Sequence, residues 1–446
     1  MKNFTKQSAM LGVWAMVYLA STLKAQDNLL QSGPMVGYSE MSEVALWVQT
    51  TQTAMVHFVY WDKEKPTVKM KTETQTTTAD KAFVAKFILP VTHSKKYQYE
   101  LYINNKLVKR PYPLEFQSQV LWQYRTDAPD FSFAYGSCNY VNQPETDRPG
   151  EPYGGNYEIF KVIHEKRPDF MIWGGDNIYL RETDWNTRTG FINRYTHTRS
   201  LPEMQPLLAS THHYALWDDH DYGPNNSDRG FWNKRLASEM FKLFWANPNY
   251  VFDDGSITGT FFWADVQFFI LDNRFYKTPE YLSEPNKAII SDKQIAWLKD
   301  ALSFSRATFK IILIGGQVLN SHADYETLAT CPEERQKLIQ AIQESKARGV
   351  LFISGDRHHS EISRLENGVK YPLIEFTSSP LTAGVSNIDP EKEKNIYRVP
   401  NTFLRERSFA LFKVSGKNRE RKLTVQYINY KGEERVKYEV RAEELK

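Results

Sequence analysis

An α/β domain preceded by a small antiparallel β-sandwich is the fold class this sequence predicts. Three observations support it. The chain has 446 residues, more than one ordinary core accommodates, so two domains are expected. Residues 27–126 carry short β-prone runs separated by turn signals and no helical period. From Phe131 onward, strongly apolar runs alternate with amphipathic stretches, the pattern of an α/β domain.

Taken in order, the chain begins with Lys2 and Lys6, an apolar run from Ala9 to Ala20, and small residues ending at Ala25. A basic start, a short apolar middle and small residues are the layout of a secretory signal peptide, assigned to residues 1–25. The run is shorter than the ~20 apolar residues that span a bilayer, so a membrane anchor is the weaker reading. Lys24 blurs the cleavage position, and no cysteine there marks a lipoprotein. An exported protein, periplasmic or extracellular, is therefore expected, with no transmembrane segment after signal removal.

Residues 26–127 are expected to form the sandwich, of immunoglobulin or fibronectin type. Its runs are 44–48, 56–60, 84–89 and 97–103, with a hairpin turn at Asn104-Asn105-Lys106 before Leu107-Val108. Asp127-Ala128-Pro129-Asp130 reads as a linker, and residues 131–446 as the second domain. In that domain the apolar runs are 131–135, 170–173, 214–217, 268–271, 311–314 and 350–353, apolar at both phases as buried strands require. Helices are expected over 157–165, 293–302 and 334–346, with Gly349 helping to end the last. Further strands at 410–414 and 423–428 return to the same domain.

Composition narrows the function. The 56 basic and 53 acidic side chains give a net charge of +3, and no long basic run is present, so a nucleic-acid partner is not expected. There are two cysteines, Cys138 and Cys331. In an oxidising compartment they would pair as a disulfide, unless one of them is a metal ligand.

The polar clusters that follow the apolar runs carry the chemistry. The first run ends in Gly136-Ser137-Cys138, the second in Gly174-Gly175-Asp176-Asn177-Ile178-Tyr179, and the third in Asp218-Asp219-His220-Asp221; Ile353-Ser354 leads to Gly355-Asp356-Arg357-His358-His359. Ligands in open α/β sheets bind beyond the carboxyl ends of the strands. Four remote segments would thus bring carboxylates, imidazoles, a thiol and a phenol to one place. Packed like charges repel and burial penalises each, so metal cations are the natural neutralising partner. Gly175 and Gly355 are expected to let the backbone turn sharply before Asp176 and Asp356. Taken singly, each cluster has an ordinary structural reading, such as a capped loop, a buried small residue or a solvated acidic stretch. Their conjunction at matched strand ends does not.

The order of these blocks resembles the calcineurin-like metallophosphoesterases, whose blocks are Asp-x-His, Gly-Asp-x-x-Asp, Gly-Asn-His-acid, an isolated His and Gly-His-x-His. Here Cys138 stands in the first block, and Asp176 with Tyr179 forms Gly-Asp-x-x-Tyr, as in purple acid phosphatases. Asp219-His220-Asp221 replaces Asn-His-acid, and Asp356 with His358 replaces the last two histidines. This set of departures is similar to the PhoD-like alkaline phosphatase branch, over nearly the whole chain past the signal. The resemblance implies a four-layer arrangement of two facing sheets flanked by helices, behind an N-terminal β-sandwich. It implies two or more metal ions. Asp176 would bridge them; Cys138, Tyr179 and His358 would hold Fe3+; Asp219, Asp356 and Asn225 would hold a second ion, Ca2+. The oxygen-rich set favours a hard cation, though the sequence alone admits Zn2+ or Mn2+.

The implied activity is that of a phosphoric ester hydrolase, an alkaline phosphatase or phosphodiesterase, with in-line attack by a metal-activated hydroxide on a phosphate mono- or diester. His220 is the expected general acid, oriented by Asp221, and Arg357 either binds a phosphate oxygen or is a salt-bridge strut. Arg274 is read as structural. The isolated histidine of the fourth block has no obvious counterpart: Gln317 and the later His322 are left open. Two rival readings stand beside this one. The same centre could serve a phospholipase-D-type diester hydrolase, or the chain could be a non-catalytic metal-binding surface protein.

Overall fold

The apolar runs past Phe131 form strands buried on both sides, because each separates two layers. In Val266–Ile270, Phe268 enters one core and Phe269 another; Ile311 and Ile312 divide likewise in Phe309–Leu313, and Leu351 and Phe352 in Val350–Ser354. Side chains alternate between faces along a strand, so apolar residues at both phases are what a doubly covered strand needs. The computed structural model describes residues 29–446 except Asn286 and Arg419; the expected signal segment, 1–25, lies outside the described residues.

Two sheets face each other. One has six strands in the order Gly259–Trp263, Val266–Ile270, Phe309–Leu313, Val350–Ser354, Leu373–Thr377, Glu361–Leu365. Its four central strands are parallel, and both edge strands run antiparallel. The other sheet has nine strands and includes the parallel set Phe131–Gly136, Phe170–Gly174 and His212–Leu216. The sheets meet through aromatic rings: Phe268 packs edge-on against Phe133 and Phe170, at 5.3 and 5.5 Å. Helices Asp292–Phe304 and Pro332–Glu344 cover the outer face of the six-stranded sheet. Ile159–Lys166, Arg188–Arg199 and Lys234–Phe244 pack on the nine-stranded one. Helices over 157–165, 293–302 and 334–346 were legible from apolar spacing. The helix Arg188–Arg199 was not, because it is largely polar; it is anchored by a buried ion pair, Arg194 to Asp184 at 2.8 Å.

Residues 29–117 form strands joined by turns and loops, with one 3-10 turn at Ala79–Lys81. Met55–Asp62 and Lys96–Ile103 belong to a third sheet, which packs its Phe58 and Tyr99 against Phe87 and its neighbours. The Asn104-Asn105 turn has φ of 49° and 62°, the left-handed pair a tight hairpin needs.

The strands within 26–127 are also continuous with the rest of the chain. Strands Leu30–Ser39, Glu43–Thr50 and Val84–Pro90 extend the nine-stranded sheet, joined through a parallel pairing of Val36 with His212. Met35 and Trp47 lie in the main core, and Trp47 Nε1 donates to the Leu243 carbonyl at 3.1 Å. Leu30–Ser39 escapes sequence reading because Gly33, Pro34 and Gly37 interrupt it; Gly37 is needed where a Cβ would come within 2.6 Å of Ala246 Cβ. The stretch 127–130 is pinned too, by buried Arg421, which bonds the carbonyls of Ala128 and Pro129 and the Asp130 carboxylate.

Candidate metal centre

The four polar clusters meet beyond the carboxyl ends of the parallel strands, and their loops are tied to one another. Cys138 N donates to Gly175 O at 3.1 Å, Asn139 N to Asp176 O at 2.8 Å, Gly355 N to Gly315 O at 2.8 Å, and Leu381 N to Ser137 O at 2.8 Å. Cys138, Asp176, Asp356 and His358 all adopt left-handed backbone, with φ of 58°, 51°, 68° and 53°. That conformation costs a non-glycine residue roughly 1–2 kcal/mol; four such residues at one site mark backbone held for a purpose. Gly175 turns as expected, with φ of 99°. Gly355 has a different reason: a Cβ there would lie 2.3 Å from Ser137 Oγ, and Asp356 itself makes the turn.

Three groups of donor atoms result, each within 4.8 Å: Cys138, Asp176 and His358; Asp176, Asp219 and His220; Asp218, Asp219 and Asp356. Asp176 belongs to the first two and Asp219 to the last two. Asp176 Oδ2 lies 3.6 Å from Cys138 Sγ, while its Oδ1 accepts the His220 backbone N–H at 3.2 Å. The imidazole of His358 is oriented from behind: Nδ1 meets the Gly384 carbonyl at 2.5 Å and Tyr153 Oη at 3.1 Å, leaving Nε2 beside Tyr179 Oη at 3.2 Å. A hydrogen bond at the far nitrogen fixes which nitrogen is free to ligate. Ser379 Oγ accepts from His358 N at 2.9 Å and donates to Cys138 Sγ at 3.1 Å.

Electrostatics show what the cluster lacks. Burial first, then Asp219, Cys138, Asp218 and Asp221, push Asp176 well above the ordinary carboxylate range. Burial with Asp218, Glu326 and Asp219 lifts Asp356 to about 8, and burial outweighs Arg274 at Asp218, lifting it to about 6. Burial also opposes ionisation of Asp219, but His220, Arg274 and the Asn226 N–H bring it below its usual value. Burial raises the Cys138 thiol to about 12 and lowers His220 to about 4. Asp218 Oδ2 and His220 Nδ1 are buried with no hydrogen-bond partner among the described residues. Cations placed among these donors would reverse every one of the carboxylate and thiol penalties. The donor set therefore fits metal ions.

Several expectations change at this point. Asp221 does not orient His220: its carboxylate accepts the backbone N–H groups of Asn177 and Asp218 at 3.0 to 3.2 Å, capping the short helix Asp219–Tyr222. Arg357 is bonded as a strut, to buried Glu393 at 2.8 Å and to Gln317 at 3.3 Å. Asn225 is exposed, pairs with Asn226 at 2.6 Å, and faces a cleft beside the donors rather than their interior. Gln317 is consumed by Glu361, Thr377 and Asn320, and His322 lies outside all three groups. Cys138 and Cys331 are both free thiols, so the disulfide reading falls. Arg274 is structural as read, fixing Asp218 at 2.5 Å and Glu326 at 2.9 Å. Asp218, Tyr153 and Ser379 were missed. Only Asp218 carried a signal, its place beside Asp219.

Donors gathered at strand ends between two facing, helix-flanked sheets define a metallophosphoesterase-type centre. The chain belongs to the PhoD-like phosphatase family, whose model matches residues 133–443. Among relatives, it is 21% identical to alkaline phosphatase D of Bacillus subtilis (strain 168) over 320 residues, 59% of this chain and 52% of that protein. The chain thus spans about half the length of this curated relative. In fold it is similar to the solved structure of PhoD, with TM-score 0.78 and 16% identity, covering 94% of this chain and 92% of that one. It is also similar to a purple acid phosphatase from yellow lupin (Lupinus luteus) seeds, with TM-score 0.66 and 11% identity, covering 92% and 74%. Among the described residues no helix is long and apolar enough to cross a membrane.

Proposed function

We propose that the chain is an exported, metal-dependent phosphoric ester hydrolase. The observation that carries this reading is the linkage of three donor groups through Asp176 and Asp219. Cys138, Tyr179, His358 and one oxygen of Asp176 would hold an Fe3+ ion, consistent with thiolate and phenolate donors. The other Asp176 oxygen, Asp219 and Asp356, joined by Asp218, would hold Ca2+. When bound, such ions supply positive charge to the phosphoryl oxygens and lower the pKa of water.

The rest of the work falls to the chain. His220 lines a cleft of 710 Å³, with its ring tilted against that of Tyr179, centroids 4.3 Å apart. Since Nδ1 is buried, Nε2 is the nitrogen left to stabilise the leaving oxygen by hydrogen bonding. Export rests on the pattern of Lys2, Lys6 and residues 9–20.

The test is elemental analysis of purified protein paired with turnover of mono- and diester chromogenic substrates. Chelation is expected to abolish turnover and metal return to restore it. Full activity after exhaustive removal, confirmed by elemental analysis, would overturn the reading.

A further inference from the structure

Most of the large buried guanidinium groups face a carboxylate. Arg194 has Asp184 at 2.8 Å, Arg274 has Asp218 and Glu326, Arg357 has Glu393 at 2.8 Å, and Arg421 has Asp265 at 2.7 Å. Arg181 does not. It is 8% exposed, and among the described residues its side chain makes one hydrogen bond, from Nε to Tyr140 Oη at 3.2 Å. Its guanidinium lies over the rings of Tyr140 and Tyr179, at 4.7 and 5.7 Å. Tyr140 is itself fixed, donating to Asp147 at 2.5 Å. Arg181 and Tyr140 both line the 710 Å³ cleft, next to His220 and Tyr179.

The consequence is a guanidinium already paid for by its stacking, with both Nη groups unspent. A planar fork of this kind matches the two oxygens of a carboxylate or phosphate. Its position decides which oxygens it meets. Asp218, Asp219 and Asp356 do not line the cleft, while Tyr179 and His220 do, so the cleft leads away from the metal cluster past His220. A leaving group that extends past His220 would enter it, and Arg181 stands on that wall.

We propose that Arg181 is a substrate-positioning residue, and that the preferred substrates are phosphate esters whose leaving group carries a second oxyanion, a carboxylate or a further phosphate. This rests on the hydrolase reading above and narrows its substrate class.

The test compares kcat/KM on two aryl phosphates with the same scissile bond, one bearing a ring carboxylate and one without it, for the metal-loaded wild type, Arg181→Met and Arg181→Lys. An aryl phosphate bearing a second phosphate serves as the other arm. The ratio of the two kcat/KM values within one preparation is independent of the folded fraction, so an unstable variant still reports. The wild type is expected to favour the charged leaving groups at least tenfold. Arg181→Met should erase that preference, through KM, and change the uncharged substrate less than threefold; Arg181→Lys should keep part of it. Equal losses on both substrates, or a ratio unmoved by either variant, would overturn the assignment. A wild type that hydrolyses no ester would instead remove the hydrolase reading on which it rests.

Discussion

Asp176 shows most directly how residue chemistry sets the site. It belongs to two of the donor groups, and a neutral side chain would remove the charge they share. Asp176→Asn is therefore expected to lower turnover of a chromogenic phosphate ester beyond the 10–100-fold that changes to supporting residues cost, with far-UV dichroism unchanged. Near-wild-type turnover would contradict the shared-ligand role. A second expectation concerns pH. Asp218 and Asp356 are lifted from an ordinary 3.8 to about 6 and about 8. A folded state that holds protons more tightly than the unfolded one loses stability as pH rises through that window. The melting temperature of chelated protein should accordingly fall between about pH 4 and pH 8. Metal-loaded protein should show a smaller fall, because cations hold these two carboxylates ionised. Parallel curves with and without chelator would contradict this. At this scale the sequence was legible where a single metal-ligating side chain follows a strand, as at Cys138, and ambiguous where several do. In Asp218-Asp219-His220-Asp221 the short helix, not the spacing, decides that Asp221 turns to backbone and Asp218 to Arg274.

Among elements, the strand ends matter most, because close approach there sets the geometry. The strand Phe309–Leu313 runs on to Gly315, where a Cβ would sit 2.6 Å from Asp218 Cγ and 2.7 Å from Asn273 Nδ2. Gly315→Ala is expected to displace one of them, lowering stability by roughly 1–3 kcal/mol as overpacking does and reducing metal content. Unchanged denaturant midpoint and metal stoichiometry would refute it. The buried strands were readable as unbroken apolar runs, since burial on both faces leaves no polar phase. Leu30–Ser39 and Arg188–Arg199 were not, since one is broken by Gly and Pro and the other is held by a buried ion pair rather than an apolar stripe.

At the scale of the whole molecule, the N-terminal strands share both sheet and core with the phosphatase-family region. Val36 pairs with His212, Tyr99 Oη donates to Ala209 O at 2.8 Å, and Trp47 enters the main core. One calorimetric unfolding transition is expected for the chain, and a fragment of residues 128–446 should not fold. Two resolved transitions, or a cooperative fragment, would show that the halves are independent. The composition change at Phe131 was a true feature of the sequence, but it marks a change in strand environment and not a gap in hydrogen bonding.

The loops bearing the donors hold one another: Cys138 N reaches Gly175 O, Asn139 N reaches Asp176 O, Leu381 N reaches Ser137 O, and Gly355 N reaches Gly315 O. They therefore behave as a single woven rim. Transplanting one of them from a relative would leave its neighbours' amides facing a foreign backbone. A change of metal preference by loop grafting would have to move the set together, which ties diversification of this centre to concerted rather than piecemeal exchange.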